Sequence, residues 1–299
     1  MIRRKLRLIR NVGSIGLLGL CGGSYYVSYR SMSDEDLVTK NVKDLASDRD
    51  NVSFPQRVIE KTVLWSLCYY SKFVMHVLNK TDMNESKHAK LGKLMERSER
   101  GGRGLITVSN HVSSIDDPGV VAALMPLSTT FNTNNFRWTA CATDRCFKLM
   151  SLAPFFKGGK VLPVERGAGL YQEGMNRMVA KLNRGDWVHM FPEGKRSKEK
   201  ELRPFKIGVG RLVADPENVP LVVPFYHVGM TQVLDRGDKI PINLGKRVVV
   251  EVGDPMDFRD FIISERERGS SDREIYSEIT KRIEVIMKEL RLRALQRST

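Results

Sequence analysis

The residues with the most chemistry to offer lie in Val108-Ser-Asn-His-Val-Ser-Ser-Ile-Asp-Asp-Pro-Gly119. An apolar run, Leu105 to Val108, predicts a strand ending just before His111. Pro118 suits the first turn of a following helix, and Asp117 suits its cap. Asp117 is thereby explained, while His111 and Asp116 are not. On a tight strand-to-helix loop an H-x4-D spacing can set a carboxylate beside an imidazole. The carboxylate then fixes the tautomer and stabilises the imidazolium formed when the ring takes a proton. There is no G-x-S-x-G elbow, so the proton is expected from a substrate hydroxyl. Direct acyl transfer without a covalent enzyme intermediate follows. Ser113 as nucleophile is the competing reading, and the spacing alone is more often structural than catalytic.

Two further stretches carry charge at strand ends. Phe191-Pro-Glu-Gly194, followed by Lys195 and Arg196, predicts a sharp turn that exposes Glu193 where open α/β sheets bind ligands. Arg166 lies just past another apolar run and suits bidentate phosphate recognition. A charged turn tip and a surface ion pair are the plainer readings of the two. No G-x-G-x-x-G, Walker A, H-E-x-x-H, zinc-finger or RNP-type pattern is present.

The elements that must position these residues follow from periodicity. Leu105–Val108, Trp138–Ala142, Val161–Val164, Asp186–Phe191, Leu221–Phe225 and Val248–Val252 read as strands. Leu170 to Arg184 reads as a helix stopped by Gly185. Ile275, Ile279, Ile283, Ile286 and Leu290 mark an amphipathic helix whose apolar side packs on the core. Strands alternating with helices predict an α/β domain around a central sheet, spanning 81–265, with 266–299 as a C-terminal helix and basic tail. Thr81 to Gly104 is charged and reads as a loop.

The 299 residues carry 49 Lys and Arg against 35 Asp and Glu, a net charge of +14, which predicts an anionic partner. Four cysteines exclude a disulfide framework. Cys141 and Cys146 lack the flanking pairs of a zinc site, so a compartment without disulfide dependence is expected. Segment 1–32 is basic at its start and uncharged from Asn11 to Tyr29. It reads as a membrane anchor, a mitochondrial targeting segment or a secretory signal. Residues 33–57 form a polar linker. The apolar block 58–80 reads as a docking helix, or as an interfacial one with Trp65, Tyr69 and Tyr70 at headgroup level.

The order His111 and Asp116, Arg166, Phe191 to Gly194, then Val222-Val-Pro-Phe225 resembles the motif order of the glycerophospholipid acyltransferase superfamily. Longer stretches are similar to its phospholipid–lysophospholipid transacylases: Asn110-His-x-Ser-x-x-Asp-Asp-Pro118, Gly159-Lys-x-x-Pro-Val-x-Arg-Gly167 and Gly185-Asp-Trp-Val-His-x-Phe-Pro-Glu-Gly-Lys195. The resemblance implies a single domain of the glycerol-3-phosphate-acyltransferase type, with a mostly parallel sheet flanked by helices and membrane-engaging segments before it. It implies CoA-independent acyl exchange with no cofactor and no metal. The implied substrates are cardiolipin, monolysocardiolipin and phosphatidylcholine. The implied setting is an anionic mitochondrial membrane facing the intermembrane space, with no nucleic-acid partner. His111 becomes the base and Asp116 its partner. Arg166 binds glycerophosphate, with Phe191, Pro192, Glu193, Gly194 and Lys195 forming the substrate turn. Glu193 is expected to accept from glycerol hydroxyls or to orient Arg166. Backbone N–H groups near Pro118 or Gly194 are expected to hold the oxyanion. After Gly194, Lys195 keeps the transacylase pattern, while Arg196-Ser197 departs from it and resembles acyl-CoA-dependent lysophosphatidate acyltransferases. A non-catalytic membrane-binding protein of the same fold is the third reading.

Overall fold

Short runs of Val, Ile and Leu, buried on both faces, are what a parallel sheet requires. In the computed structural model of the chain, residues 54–147, 153–198, 200–235 and 242–298 are described. Segment 1–32 and the linker as far as residue 53 lie outside them. The strands are β1 (Lys80–Met83), β2 (Leu105–Ser109), β3 (Trp138–Ala142), β4 (Val161–Val164), β5 (Trp187–Met190), β6 (Leu221–Val228) and β7 (Arg247–Val252). They form one sheet in the order β1-β7-β6-β2-β5-β3-β4. All pairs are parallel except β6 with β7. The register sets Thr107 beside His189 and Ser109 beside Phe225.

Because side chains alternate across a strand, the sheet makes two cores. Ile106, Val108, Val188, Val222 and Tyr226 face one. Leu105, Trp187, Val223, Phe225 and Val250 face the other. The helices are α1 (Phe54–Lys72, continued by a π-helical turn Phe73–Leu78), α2 (Glu85–Met95), α3 (Asp116–Leu124), α4 (Ala153–Gly158), α5 (Glu173–Asn183), α6 (Gly208–Ala214), α7 (Arg259–Glu267) and α8 (Asp272–Ser298). Leu64 of α1, Leu91 of α2 and Val120 of α3 complete the second core. Met178 of α5, Leu212 of α6 and Ile279 and Ile283 of α8 complete the first. Glycine is required where α6 meets α8. A Cβ at Gly210 would lie 2.0 Å from the Tyr276 carbonyl oxygen.

Four expectations are corrected. The charged stretch 81–104 is not a loop but holds most of β1, all of α2 and a 3-10 turn at Arg97–Arg100. β1 is a short edge strand, so it carries charge where inner strands carry Val. α1 begins at Phe54, inside the expected linker, with Pro55 in its first turn, where a missing N–H goes unnoticed. The C-terminal helix packs its apolar side on the core as expected, so the boundary drawn at 265 does not separate it from the domain it follows. Finally, Cys141 and Cys146 form a disulfide, because β3 bends into the single helical turn Thr143–Cys146 and brings the Cα atoms to 6.1 Å.

α1 combines the two readings of its block. Val63, Leu64 and Cys68 are buried against the domain, while Ile59, Tyr70, Phe73 and Val77 are exposed. Two of the three aromatics expected at headgroup level instead turn polar tips to the protein. Trp65 Nε1 donates to the Thr130 carbonyl at 3.0 Å, and the Tyr69 hydroxyl lies 3.2 Å from Thr130 Oγ1. Among the described residues no helix is long and apolar enough to cross a membrane.

Candidate active site

The loop leaving β2 is held from several sides before it reaches His111. Asn110 Nδ2 donates to the His227 carbonyl at 3.0 Å, and its Oδ1 accepts from His227 N–H at 2.9 Å. The chain then curls around a buried carboxylate. Asp116 Oδ2 accepts from the backbone N–H groups of Val112 at 2.6 Å and Ser113 at 2.8 Å, and from His111 Nδ1 at 2.9 Å. Burial alone raises the Asp116 pKa. The nearby His227, the hydrogen bond and charge of His111, and the Ser113 N–H together outweigh it, so the carboxyl titrates below its ordinary range. Asp116 is therefore ionised at neutral pH and holds the proton of His111 on Nδ1. Nε2 is left as the nitrogen able to accept another. The His111 ring stacks on Phe191, with centroids 4.1 Å apart and planes at 19°.

Phe191 begins the turn after β5, which the sequence singled out as binding substrate. Its Glu193 has a different role from either one expected. It is buried, and does not line the cavity. Oε1 accepts from His111 N–H at 3.0 Å, while Oε2 accepts from the Ser197 hydroxyl and from Arg203 N–H at 3.0 Å. Glu193 thus ties the β5 turn to the β2 loop and sets where the histidine backbone sits. The Pro192 carbonyl accepts from Lys206 N–H at 2.9 Å. Gly194 takes φ +67°, and a Cβ there would fall 2.8 Å from Lys206 Cε. Its N–H donates to the Phe191 carbonyl at 3.0 Å, and Gly119 N–H donates to Ile115 at 2.9 Å. These two N–H groups are thus engaged within their turns.

The dyad opens on a cavity of about 1130 Å³ at the C-terminal ends of the strands. Leu67, Val74, Met75, Ile115, Phe155 and Phe156 give it an apolar wall. Arg166 and Lys195 line it on the polar side, both exposed. Arg166 Nη1 pairs with Asp144 Oδ2 at 2.9 Å, on the turn that the disulfide closes.

Two readings of the β2 loop are overturned. Ser113 is buried and donates to the Leu234 carbonyl at 2.8 Å, so it is no nucleophile. Asp117 makes no cap hydrogen bond. It accepts from Arg137 Nε at 2.8 Å and from a second nitrogen of the same guanidinium, whose Nη1 also donates to the Gly159 carbonyl at 3.0 Å. Arg137 is one of three residues that sequence reasoning left without a role; His189 and His227 are the others. Each is polar inside an apolar strand or beside it, which is the signal that marks them. His189 Nδ1 meets Thr107 Oγ1 at 2.9 Å, and its ring lies edge-on to Phe191 at 4.7 Å. Burial pushes the His189 pKa down to about 4, with Arg137, His111 and His227 adding to the fall and Asp117 opposing it. Among the described residues no cluster of three or more His, Cys, Asp or Glu side chains could hold a metal ion.

Residues 84–228 match the family model described as Acyltransferase. The tafazzin of Drosophila melanogaster is 37% identical over 236 residues, covering 78% of this chain and 61% of the fly protein. The chain thus spans only about three fifths of that relative's length. The N-acylphosphatidylethanolamine synthase of Arabidopsis thaliana is 33% identical over 204 residues, covering 66% of this chain and 70% of the plant protein. The crystal structure of the 1-acyl-sn-glycerophosphate (LPA) acyltransferase PlsC from Thermotoga maritima aligns with a TM-score of 0.51 over 90% of this chain and 95% of that one. At 18% identity this is a likeness of fold.

Proposed function

The chain belongs to the acyltransferase family, and on that premise we propose that it moves an acyl group directly from a phospholipid to a lysophospholipid, with His111 as general base. The observation that carries this reading is the His111–Asp116 pair at the mouth of a cavity with an apolar wall and a cationic side. An apolar wall suits acyl chains, and Arg166 and Lys195 suit phosphate.

The lysolipid hydroxyl lies against His111 Nε2, which takes its proton as the oxygen attacks the ester carbonyl of the donor. The carbonyl electrons move onto oxygen and return as the donor's C–O bond breaks. The departing lysolipid oxygen takes the proton back from His111. One ester forms as another breaks, so no activated donor is needed. Asp116 stabilises the imidazolium between the two transfers, and it stays ionised because its pKa lies low. Phe191 fixes the plane of the ring by stacking. Glu193 fixes its backbone.

Cardiolipin, monolysocardiolipin and phosphatidylcholine, at a mitochondrial membrane facing the intermembrane space, are what the family resemblance implies, and they belong to this proposal. The Cys141–Cys146 disulfide supports a compartment that is not strongly reducing. Ser197, part of the departure toward lysophosphatidate acyltransferases, has a local explanation in its hydrogen bond to Glu193. The test uses labelled lysocardiolipin with phosphatidylcholine as sole acyl source, then with acyl-CoA instead. Product from phosphatidylcholine is expected. Product from acyl-CoA alone would overturn the CoA-independent reading, and inactivity with both would leave a membrane-binding protein without catalysis.

A further inference from the structure

One buried histidine beside the dyad has no task in the mechanism above. Asp116 Oδ2 accepts from three donors, while Oδ1 is buried and accepts no hydrogen bond from any described residue. A carboxylate oxygen left bare inside a protein is costly, so what faces it matters. His227 of β6 faces it. Its Nε2 stands 3.8 Å from Oδ1, and the two side chains are 0% and 1% exposed. The same Nε2 lies 3.0 Å from the Asn110 carbonyl oxygen. A carbonyl oxygen only accepts, so Nε2 carries a hydrogen. His227 Nδ1 has no hydrogen-bond partner among the described residues.

The ring is held in this place. The Asn110 side chain makes two hydrogen bonds to the His227 backbone, and the Asn110 carbonyl takes the ring, so the residue before His111 is tied to His227 at three points. Pairing of β2 with β6 sets that register, with Ser109 beside Phe225. At 3.8 Å the contact with Oδ1 is too long for a hydrogen bond and acts as a charge–dipole attraction, which burial strengthens. Burial raises the Asp116 pKa, and the interaction with His227 is the largest influence bringing it down. The other ionisable groups around the pair are engaged elsewhere. Arg137 and Asp117 hold each other, His189 meets Thr107, and Glu193 takes Ser197 and two backbone N–H groups. Glu251 of β7 pairs with Arg297.

We propose that His227 is a positioning residue for the general base: its Nε2–H keeps Asp116 a pure acceptor, and so keeps the second hydrogen of the His111 imidazolium on Nδ1 during acyl transfer. This rests on the acyl-transfer reading above and extends it. The proton that enters through His111 Nε2 leaves by the same nitrogen, to the departing oxygen, and none passes to Asp116. Without the His227 hydrogen, Asp116 attracts a proton more strongly, and the dyad as a unit holds its proton to higher pH.

The test is the pH profile of kcat/KM for His227→Phe and His227→Gln. Phe keeps a flat ring but has no donor, whereas Gln places an amide N–H near the position of Nε2. In His227→Phe the acid limb is expected to move up by about one unit, making the loss of activity about tenfold greater below the limb than above it. His227→Gln is expected to return most of that shift. A loss equal at every pH in both variants is that of a packing residue and would overturn the proposal. Magnetic resonance supplies a readout that needs no turnover. In wild type, the ring nitrogen shifts of His227 are expected to place its hydrogen on Nε2, and a hydrogen on Nδ1 alone would overturn the proposal. The His111–Asp116 pair is expected to titrate about one unit higher in His227→Phe than in wild type, and an unmoved titration would likewise overturn it. If wild type transfers no acyl group yet that titration moves, the acyl-transfer reading fails and the coupling stands.

Discussion

The two sides of the cavity are built on opposite principles. At the dyad, the two carboxylates are buried and take most of their hydrogen bonds from backbone N–H groups, with Asp116 Oδ1 alone left without one among the described residues. Asp116 takes two N–H groups and an imidazole on one oxygen, and Glu193 takes two N–H groups and a hydroxyl. On the cationic side, Arg166 and Asp144 are both exposed and form a solvent-facing pair, with Arg145 3.9 Å from the same carboxylate oxygen. Proton transfer needs an imidazole fixed to fractions of an ångström, and burial supplies that. Headgroup recognition needs charges that can exchange a carboxylate for a phosphate. An exposed ion pair, worth little in itself, allows the exchange.

If that contrast is right, substitutions on the dyad side should be severe and those on the headgroup side mild. His111→Ala is expected to lower kcat by about 10³-fold while leaving the thermal melt in place, because the ring is partly exposed and fills no core. Near wild-type turnover in the folded variant would remove it from the chemistry. Asp116→Asn is expected to lower kcat by about 10²-fold, since an amide cannot serve both two N–H donors and a protonated Nδ1. Its pH–rate profile, compared with that of wild type, separates lost orientation from lost stability. Glu193→Ala is expected to cost about 2–3 kcal/mol in denaturant melts, by leaving buried donors on His111 and Arg203 without acceptors, and to lower activity as a consequence. A fully stable but inactive variant would show instead that Glu193 meets substrate.

His189 sharpens the same point through pH. Its folded pKa of about 4 lies below the ordinary value of 6.5, so the unfolded chain binds the proton more readily. Stability from this group is full above pH 6.5 and declines as pH falls toward 4, by up to about 3 kcal/mol. His189→Asn should flatten that part of the stability curve. The smallest effect belongs to the exposed side. Arg166→Ala is expected to raise KM for lysophospholipid about threefold to tenfold with kcat little changed. A loss of kcat matching that of His111→Ala would erase the distinction between the two sides.

The sheet was readable from sequence because the five inner strands and the edge strand β4, Val-Leu-Pro-Val, are rich in apolar residues. β1 was not, because this edge strand reads Lys-Thr-Asp-Met and looks like surface. The His111–Asp116 contact was legible because the two residues lie five apart at one strand-to-helix junction. The role of Glu193 was not. Its partners His111, Ser197 and Arg203 are brought to it by folding, and nothing in Phe-Pro-Glu-Gly says that the carboxylate points inward. The same holds for Asp117. Its place before Pro118 fits a cap, and only the tertiary fold brings Arg137 across to claim it.

Helix α8 carries a consequence for how the protein is made. Its 27 residues lie against α6, β6 and β7, and Ile275, Ile279, Ile283 and Leu290 fill the core on that face. At its far end Arg297 pairs with Glu251 of β7 and, at 2.5 Å, with Asp82 of β1. Translation delivers residues in order, so all seven strands leave the ribosome before the helix that covers one side of them. A nascent chain stalled at residue 271 should therefore bind a hydrophobic dye and hold chaperones, and release of the remaining residues should end both.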